Sequence, residues 1–359
     1  MGRVTVIAEA GVNHDGSLDK ARALVDVAAS AGADIVKFQT FRADRIATRK
    51  VAKAEYQKRA TASEESQHAM LQRLELDDAA HAALIAHCRA RGIEFLSTPF
   101  DLPSLALLVG THGLRRLKIS SGDLTNGPLL LQAARSGGAI ILSTGMAVLG
   151  EIEAALGVLA FGMAASGDAT PNDAAFAEAY SSTEGQDALR ERVTLLHCTS
   201  LYPAPAPAVN LRAMDTLRSA FGLPVGYSDH TIGITVALAA VARGAVVIEK
   251  HFTLDRSLPG PDHQASLEPD ELRQMVAGIR AIEQALGSAQ KMPTPGEHAT
   301  RAVARKCLVA MRPIRRGERF TAGNIEAKRV EAGVTAMRYW EALERTADRD
   351  YAADEPINL

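Results

Sequence analysis

Eight short runs of apolar and β-branched residues recur along the chain, and a longer stretch with apolar residues at helical spacing follows most of them. The runs are Val4–Ala10, Ile35–Gln39, Ile93–Thr98, Arg116–Ser120, Ile140–Thr144, Val193–Thr199, Val225–His230 and Val246–Phe252. Alternation of strands and helices repeated about eight times is typical of a (β/α)₈ TIM barrel. An open doubly wound sheet is the alternative, but no G-x-G-x-x-G motif follows the first run, which disfavours it.

Two connections are longer than such a barrel needs. Thr40–Leu76 follows the second predicted strand, on the face that carries the active site in TIM barrels. Its first half is rich in Arg and Lys, which fits either a basic lid over an anionic substrate or a solvated helical face. Gly157–Arg192 joins a helix to the sixth strand on the opposite face. Gly162, Gly167 and Pro171 predict breaks there, and we expect this segment to be peripheral.

The end of the chain predicts a second domain. Residues 287–300 are rich in Pro and Gly, which predicts a linker after a barrel domain of residues 1–286. Residues 301–359 contain turns between short apolar runs and predict a module of short strands. At roughly 60 residues the module buries little surface alone, so we expect it to pack on the barrel or on a neighbouring subunit.

The composition argues against several classes of protein. Hydrophobic residues make up 47% of the 359 residues, enough for a large core, and the formal net charge of −2 argues against a general nucleic-acid binder. Three widely spaced cysteines fit a reducing compartment. The first residues enter a strand without the apolar region of a signal peptide, and no apolar run approaches the ~20 residues of a membrane span. We therefore expect a cytoplasmic protein that binds neither nucleic acid nor membrane.

Polar and charged residues stand at the carboxyl ends of almost all predicted strands, where TIM barrels carry their catalytic groups. His230 ends the seventh strand, and Glu249 and His251 end the eighth. Residues two apart on a strand share a face, so Glu249 and His251 point the same way and Lys250 points the other way. Two imidazoles and a carboxylate predict a mononuclear metal site with open positions, and three unrelated polar residues are the alternative.

Two lysines, Lys37 and Lys118, stand at the ends of separate strands. Small hydroxyl side chains occupy neighbouring strand ends at Thr98, Ser121, Ser143 and Ser228. This combination suits a ligand that carries a phosphate and a carboxylate. The alternative is that each lysine forms a structural ion pair with Glu9 or Glu249.

The end of the sixth strand is open to more than one interpretation. We expect His197 to pack below the barrel mouth and Cys198, which alternates with it, to face the helices. Tyr202 begins the next loop with a proline after it, so it either lines the pocket or belongs to a turn.

Segments that span nearly the whole predicted barrel resemble one known family, the sialic acid synthases and related nonulosonate synthases. They are AEAGVNHDG (8–16), VKFQTF (36–41), FLSTPFD (95–101), KISSGDLTN (118–126), ILSTGMA (141–147), LLHCTSLYPAP (195–205), GYSDHT (226–231), IEKHFTLD (248–255) and PGPDH (259–263). The segments occur in order, which makes the resemblance highly specific. The later segment ARKCLVAMRPIRRGERFTAGNIEAKR resembles the antifreeze-like domain of the same family.

The resemblance implies an enzyme that condenses phosphoenolpyruvate with an N-acylated, mannosamine-type sugar. It implies a divalent metal, Mn²⁺ first and Mg²⁺ or Co²⁺ as alternatives, with His230 and His251 as ligands and with Glu9 and Glu249 as catalytic carboxylates. The implied phosphoenolpyruvate site consists of Lys37, Thr98, Lys118, Ser121, Ser143, Ser200 and Ser228. The implied sugar contacts are Gln39, Asp123, Tyr202, Asp262 and Arg329. The resemblance also implies a homodimer with a domain-swapped C-terminal domain, in which Arg329 reaches the sugar N-acyl group of the partner subunit.

Some positions depart from the family pattern. The usual Lys-Arg-Pro-Gly is Lys328-Arg329-Val330-Glu331 here, and the usual Ser-Gly-Glu is Ser121-Gly122-Asp123. The acidic side chain at position 123 is therefore one methylene shorter. These differences concern two of the implied sugar contacts.

The first acceptor that the resemblance implies is open-chain N-acetylmannosamine, which would make the chain an N-acetylneuraminate (sialic acid) synthase that releases phosphate. The alternative within the family is a 2,4-diacetamido-2,4,6-trideoxymannose acceptor, which gives N,N'-diacetyllegionaminate. A Schiff-base aldolase that uses Lys37 or Lys118 is a further alternative, because barrels also host that chemistry. A non-enzymatic carbohydrate- or ice-binding protein is suggested only by the C-terminal module.

Overall fold

The computed structural model describes residues 2–48, 53, 65–164 and 169–359. The chain separates into two compact units, Met1–Gly287 and Ser288–Leu359. The last residues of the predicted 287–300 linker belong to a helix, Glu297–Ala304. Most of the basic residues of the predicted lid, Arg49, Lys50, Lys58 and Arg59, lie outside the described residues, as does Gly167.

The first unit is a barrel of eight parallel strands. The strands are β1 Thr5–Gly11, β2 Ile35–Thr40, β3 Glu94–Pro99, β4 Arg116–Ile119, β5 Ala139–Ser143, β6 Val193–Cys198, β7 Val225–Asp229 and β8 Val247–His251. Hydrogen bonds connect them in the order β3-β2-β1-β8-β7-β6-β5-β4, and β3 and β4 pack beside each other at the two ends of this order. The predicted TIM barrel is confirmed, and the doubly wound alternative is wrong.

Helices follow the strands and cover the barrel. They are α1 Leu18–Ser30, α2 Ala43–Ile46, α3 Gln67–Arg73, α4 Asp78–Arg91, α5 Leu102–Ala106, α6 Gly127–Arg135, α7 Leu149–Ala164, α8 Asp173–Ser181, α9 Thr183–Arg192, α10 Ala206–Val209, α11 Ala213–Phe221, α12 Thr235–Ala242 and α13 Pro269–Leu286. Short polar side chains cap the N-termini of several helices. Ser17 caps α1 by accepting a hydrogen bond from the Lys20 N–H, and Asp77 caps α4 by accepting one from the Ala80 N–H. Gly92 ends α4 in the left-handed conformation, with φ of 70°.

Two apolar layers hold the barrel together. One lies between the strands and the helices, and the other fills the barrel interior with six side chains, Ile7, Ile35, Leu96, Ile141, Leu196 and Val247. Burial of each such aliphatic side chain stabilises the folded state by about 1.5–3 kcal/mol relative to leaving it exposed. Residues two positions further along a strand share its face. The interior layer therefore sets which side chains reach the mouth: Glu9, Lys37, Thr98, Ser143, Cys198 and Glu249.

The long connection before β6 is helical rather than irregular. α7 runs through Gly157 and Gly162, so the predicted break at Gly162 is wrong. A Cβ atom at Gly162 would lie 2.5 Å from the Ala134 Cβ, which means that this glycine allows α7 to approach α6 closely. α8 and α9 complete the connection on the side of the barrel away from the strand ends that carry the polar residues.

The second unit contains an antiparallel pair, β9 Lys306–Ala310 and β10 Ile325–Arg329, with the helices α14 Glu297–Ala304 and α15 Tyr339–Ala342. Its own small core consists of Leu308, Ala310, Ile314, Phe320, Ile325, Ala342, Ala347, Tyr351 and Ile357. In the part of the chain that the structure describes, no helix combines the length and the apolar character needed to cross a membrane.

Candidate active site

A cavity of about 330 Å³ opens at the carboxyl ends of the barrel strands. Most of the predicted site residues line it: Glu9, Lys37, Gln39, Thr98, Lys118, Ser121, Ser143, Ser200, Tyr202, Ser228, His230, Glu249, His251 and Asp262. They come from all strands or from the loops that directly follow them. The barrel therefore brings together residues that are far apart in the sequence, as the pattern of polar strand ends predicts.

Two lysines and two glutamates form the floor of the cavity. The Lys37 Nζ lies 2.7 Å from a Glu9 carboxylate oxygen and 3.5 Å from Glu249, and the Lys118 Nζ lies 3.7 Å from Glu249. Both lysine side chains are only 4% exposed. The ion pairs expected under the structural alternative are therefore present. They are joined into one cluster that faces a cavity, which is the arrangement of a binding site for a charged ligand.

Hydroxyl groups complete the floor. Lys37 donates a hydrogen bond to Thr98 Oγ1 at 3.1 Å, and Lys118 donates one to Ser143 Oγ at 2.7 Å. The Ser228 hydroxyl donates to Glu249 Oε1 at 2.8 Å. Lys37, Lys118 and Glu249 thus each have a hydroxyl group as a hydrogen-bond partner.

The two floor carboxyls differ in acidity. Burial raises the pKa of Glu9 above its ordinary value, and the neighbouring Lys37 only partly opposes this effect. Burial also acts to raise the pKa of Glu249, but Lys118 and Lys37 together lower it below the ordinary value. Glu249 is therefore the ionised member of the pair, and Glu9 is the member that accepts a proton more readily.

The pKa values of the two floor lysines are shifted in opposite directions. Burial acts to lower the pKa of Lys37, but the charges of Glu249 and Glu9 outweigh it and raise the value. Burial lowers the pKa of Lys118 by more than Glu249 raises it. Lys37 is the more firmly held cation, and an added anion near Lys118 would favour its charged form.

Two imidazoles lie next to each other at the side of the floor, with their ring planes tilted by 50°. The ring centroids of His230 and His251 are 5.6 Å apart, and the Tyr202 ring lies 4.1 Å from the His230 ring. His230 donates a hydrogen bond from Nδ1 to the Thr199 carbonyl at 2.8 Å, which leaves the Nε2 lone pair available in the neutral ring. The buried Nδ1 of His251 has no hydrogen-bond partner.

This imidazole pair fits a divalent metal with two protein nitrogen ligands. Asp262 lies 3.9 Å from His251, which provides a nearby carboxylate. Glu249, the carboxylate of the predicted three-ligand site, instead contacts Lys37, Lys118 and Ser228. Among the described residues, no group of three or more His, Cys, Asp or Glu side chains is arranged to hold a metal ion. Further ligands would therefore come from water or substrate.

A buried ion pair on the outer face of the barrel sets the position of the two histidines. Lys250 Nζ lies 2.8 Å from Asp229, and both side chains are fully buried. Lys250 also donates to the Thr231 carbonyl at 2.5 Å. Because Asp229 and Lys250 each precede one of the histidines, this pair ties the end of β7 to the end of β8 and fixes the separation of His230 and His251.

Two predicted sugar contacts are not among the residues that line the cavity. The Asp123 carboxylate accepts hydrogen bonds from the Ser120 hydroxyl at 2.6 Å and from the Asn126 amide at 3.1 Å, so its own turn occupies both oxygens. Arg329 is an exposed residue at the end of β10 in the second unit. Sugar binding by Asp123 and Arg329 stays a prediction.

The expected orientation of the sixth strand end is wrong. Cys198 lies in the barrel interior with its Sγ 3.7 Å from His230 Nδ1, and it lines the cavity. His197 points outward and donates a hydrogen bond from Nε2 to the Val209 carbonyl at 2.7 Å. Both Leu195 and Leu196 are fully buried, because a parallel barrel strand is covered on both faces. The sequence therefore shows the alternation but not which face is which.

One side of the cavity was not predicted. It is an apolar wall made of Val12, Phe41, Ile46, Met70, Leu71, Leu74 and Phe100. Most of these residues come from the connection after β2, for which the basic residues alone suggested a role. The spacing of Met70, Leu71 and Leu74 in and just after α3 is the available signal, because residues three and four apart share a helix face.

Comparison with known proteins shows the family. The sequence pattern of the NeuB family matches residues 24–291, and that of the SAF domain matches residues 305–358. The chain is 49% identical to N,N'-diacetyllegionaminic acid synthase of Campylobacter jejuni, over 99% of each chain. It is 43% identical to the enzyme of the same name from Legionella pneumophila, over 92% of this chain and 86% of the relative.

A solved structure agrees with this result. The N-acetylneuraminic acid synthetase of Leptospira borgpetersenii serovar Hardjo-bovis, crystallised with citrate, is 35% identical, with a TM-score of 0.66 over 83% of this chain and 90% of that one. The NeuB match covers strands β2 to β8 of the barrel that carries the cavity. The chain therefore belongs to the NeuB family and is an enzyme related to the sialic and legionaminic acid synthases.

Proposed function

We propose that the chain is an N,N'-diacetyllegionaminic acid synthase, which condenses phosphoenolpyruvate with 2,4-diacetamido-2,4,6-trideoxymannose and releases phosphate. The observation that carries this proposal is the 49% identity to the Campylobacter jejuni synthase over 99% of both chains. The first acceptor implied by the sequence, N-acetylmannosamine, has less support, since the solved sialic acid synthetase is 35% identical. The alternative acceptor, 2,4-diacetamido-2,4,6-trideoxymannose, is therefore better supported than N-acetylmannosamine.

The cavity floor suits the donor. Phosphoenolpyruvate carries a phosphate and a carboxylate, and Lys37 and Lys118 supply two buried cations on one surface. Thr98 and Ser143, already hydrogen-bonded to these lysines, would donate further bonds to the anionic oxygens. Ser121, Ser200 and Ser228 line the same cavity. A Schiff-base role is disfavoured for Lys37, because that chemistry needs a neutral amine and Glu249 and Glu9 raise the pKa of Lys37.

The two floor carboxyls would divide the proton transfers. As C3 of phosphoenolpyruvate bonds to the sugar aldehyde carbon, the aldehyde oxygen gains charge and needs a proton, which Glu9 supplies because its pKa is raised by burial. Positive charge develops at C2, and water adds there with loss of a proton. Glu249, held ionised by Lys118 and Lys37, accepts that proton. The resulting tetrahedral carbon expels phosphate and becomes the keto group.

The imidazole pair would hold the metal. A divalent ion bound by His230 and His251, with Mn²⁺ as the first candidate, would supply Lewis-acid polarisation of the sugar aldehyde. We expect chelation to abolish turnover and Mn²⁺ to restore it, because two nitrogen ligands plus water bind an ion reversibly. The His251→Ala variant should lose activity. Its circular dichroism spectrum should match that of the wild type, which would show that it remains folded. Full turnover in metal-free buffer would contradict this part of the proposal.

Assembly as a homodimer is the second part of the proposal. The loops after β5, β6 and β7 expose Met146, Leu201 and Ile232, and the second unit exposes Met337 and Trp340. Exposed large apolar side chains of this kind are typical of surfaces that a partner covers. They support a dimer in which the C-terminal domain of one subunit covers the barrel mouth of the other.

The acceptor is tested by direct comparison. Phosphate release is measured with phosphoenolpyruvate and either 2,4-diacetamido-2,4,6-trideoxymannose or N-acetylmannosamine, and the product mass is determined. We expect the diacetamido sugar to give the higher kcat/KM. A higher kcat/KM with N-acetylmannosamine would overturn the assignment and return the chain to sialic acid synthesis.

A further inference from the structure

The apolar wall is a packed surface rather than a collection of loose side chains. Val12, Phe41, Met70 and Leu74 form one buried cluster, and Phe41 and Phe100 meet edge to face with ring centroids 6.2 Å apart. α2, which carries Ile46 at its end, is anchored by a hydrogen bond from the Ala43 N–H to Glu75 at 2.6 Å. The wall thus presents a mainly apolar surface to the cavity, and Gln67 of α3 contributes a polar side chain beside Met70 and Leu71.

The loops after β4, β6 and β8 contribute mainly polar side chains to the lining, and Met146 of the loop after β5 lines the cavity beside them. The polar side chains of these loops include Ser120, Ser121, Ser200, Tyr202 and Asp262. The carboxylates and lysines among the described lining residues belong to the floor or to these loops. A ligand that fills the cavity therefore contacts the charged floor at one end. At its other end it contacts the polar loops or the apolar wall.

The reaction orients the acceptor in this cavity. Bond formation takes place at the aldehyde carbon C1, so C1 must lie at the charged floor next to the donor. The other end of the sugar, C6, then points away from Lys37 and Lys118 toward the mouth. The acceptor of the proposed reaction has a methyl group at C6, where N-acetylmannosamine has a hydroxymethyl group.

We propose that the apolar wall binds the C6 methyl group of the acceptor and so selects 6-deoxy sugars over 6-hydroxy sugars. This inference rests on the proposed function and names the residues that set its acceptor specificity. Burial of a methyl group against these apolar side chains lowers the free energy of binding. A hydroxyl group buried there loses its hydrogen bonds to water and gains none from the apolar side chains. Discrimination of one such group in an apolar pocket is on the order of 10- to 100-fold in kcat/KM.

The test compares two sugars that differ only at O6, 2-acetamido-2,6-dideoxymannose and N-acetylmannosamine, with phosphoenolpyruvate as the donor. The variants are Ile46→Asn and Leu71→Asn, since Ile46 is 38% exposed and Leu71 is half-buried, so neither change disrupts the core. The control is Leu286→Asn, which changes an equally exposed leucine (39%) at the end of α13. Where turnover is too slow, inhibition constants replace kcat/KM.

We expect the wild type to prefer the 6-deoxy sugar about tenfold or more, and each wall variant to lose most of that preference with the KM for phosphoenolpyruvate unchanged. Leu286→Asn should keep the preference. Equal use of the two sugars by the wild type, or an equal loss with both sugars in the wall variants, would overturn the inference. The diacetamido sugar is assayed separately. Its failure as a substrate would overturn the proposed function, while the O6 pair would still decide the role of the wall.

Discussion

At the scale of single residues, the site combines like and unlike charges at short range. Lys37 and Lys118 share Glu249, and Glu9 contacts Lys37, so the floor carries two cations and two carboxyls within one cavity. A strongly anionic donor changes this balance. A bound anion favours the charged form of Lys118 and the neutral form of Glu9, whereas neighbouring charges already keep Lys37 and Glu249 ionised.

Lys118→Met should raise the apparent KM for phosphoenolpyruvate roughly 10- to 100-fold. Methionine keeps most of the stem and removes the charge, and a hydrogen bond to a charged group is worth about 1.5–3 kcal/mol. Initial rates at varied donor concentration measure the effect, and the KM for the sugar serves as the internal control. An unchanged donor KM would assign Lys118 a purely structural role.

Donor binding should take up protons through Glu9. Burial already raises the pKa of Glu9, and the negative charge of phosphoenolpyruvate raises it further, so the carboxyl gains a proton as the donor binds. Calorimetric titration near pH 7 in two buffers with different ionisation enthalpies measures the uptake. We expect Glu9→Gln to bind the donor without uptake. The same uptake in the variant would show that another group takes the proton.

At the scale of the elements, the strands position the site and the loops vary it. Most strand positions in the sequence prediction agree with the structure to within one or two residues, because alternating strand and helix patterns are strong signals. The polar floor was predictable for the same reason, since residues two apart on a strand share a face. The orientation at Cys198 was not, because β6 is buried on both sides.

Loops gave less information. The apolar wall depends on how α2, α3 and the residue after β1 pack together, and sequence spacing does not show such tertiary contacts. The hydrogen-bond partners of Asp123 were also not predictable from the sequence. It stands at the expected position after β4, but hydrogen bonds with Ser120 and Asn126 engage both carboxylate oxygens, and local competition of this kind is decided by geometry.

The ion pair between β7 and β8 gives the third prediction. Lys250→Met would leave the Asp229 carboxylate buried without its cation, so we expect a loss of about 3–5 kcal/mol in the free energy of unfolding. The affinity for Mn²⁺ should fall roughly tenfold or more, because groups that orient metal ligands affect binding on that scale. Denaturant titration and calorimetry measure the two effects.

Lys306→Met is the control for this prediction, because it removes an exposed lysine in the second unit. It should change neither stability nor Mn²⁺ affinity. If Lys250→Met is less stable but binds Mn²⁺ as the wild type does, the ion pair supports the fold without positioning the histidines.

At the scale of the whole molecule, the two units raise the question of where each active site is completed. The barrel unit carries the charged floor and the imidazole pair, and Arg329 belongs to the second unit. The relatives of this chain that are legionaminic acid synthases match it over nearly its full length, including both parts. The fourth prediction concerns the subunit to which Arg329 contributes.

Mixing two inactive variants, Glu249→Gln and Arg329→Ala, should restore activity if Arg329 acts on the partner subunit. A mixed dimer then has one site with both defects and one site with neither. Half of the dimers in an equal mixture are mixed, so about a quarter of the wild-type activity should return. If Arg329 acts within its own subunit, every site keeps one defect. No recovery, after subunit exchange is verified with differently tagged chains, would reject the swapped arrangement.

The separation of floor and wall has a consequence for how such enzymes diversify. The groups proposed to handle the donor are fixed at strand ends by the barrel register, whereas most of the wall belongs to a single connection after β2. A connection of this kind tolerates substitution and changes in length better than a strand does. Descendants of one barrel can therefore acquire new acceptors by altering that connection, while the carbon–carbon bond-forming step passes unchanged from one lineage to the next.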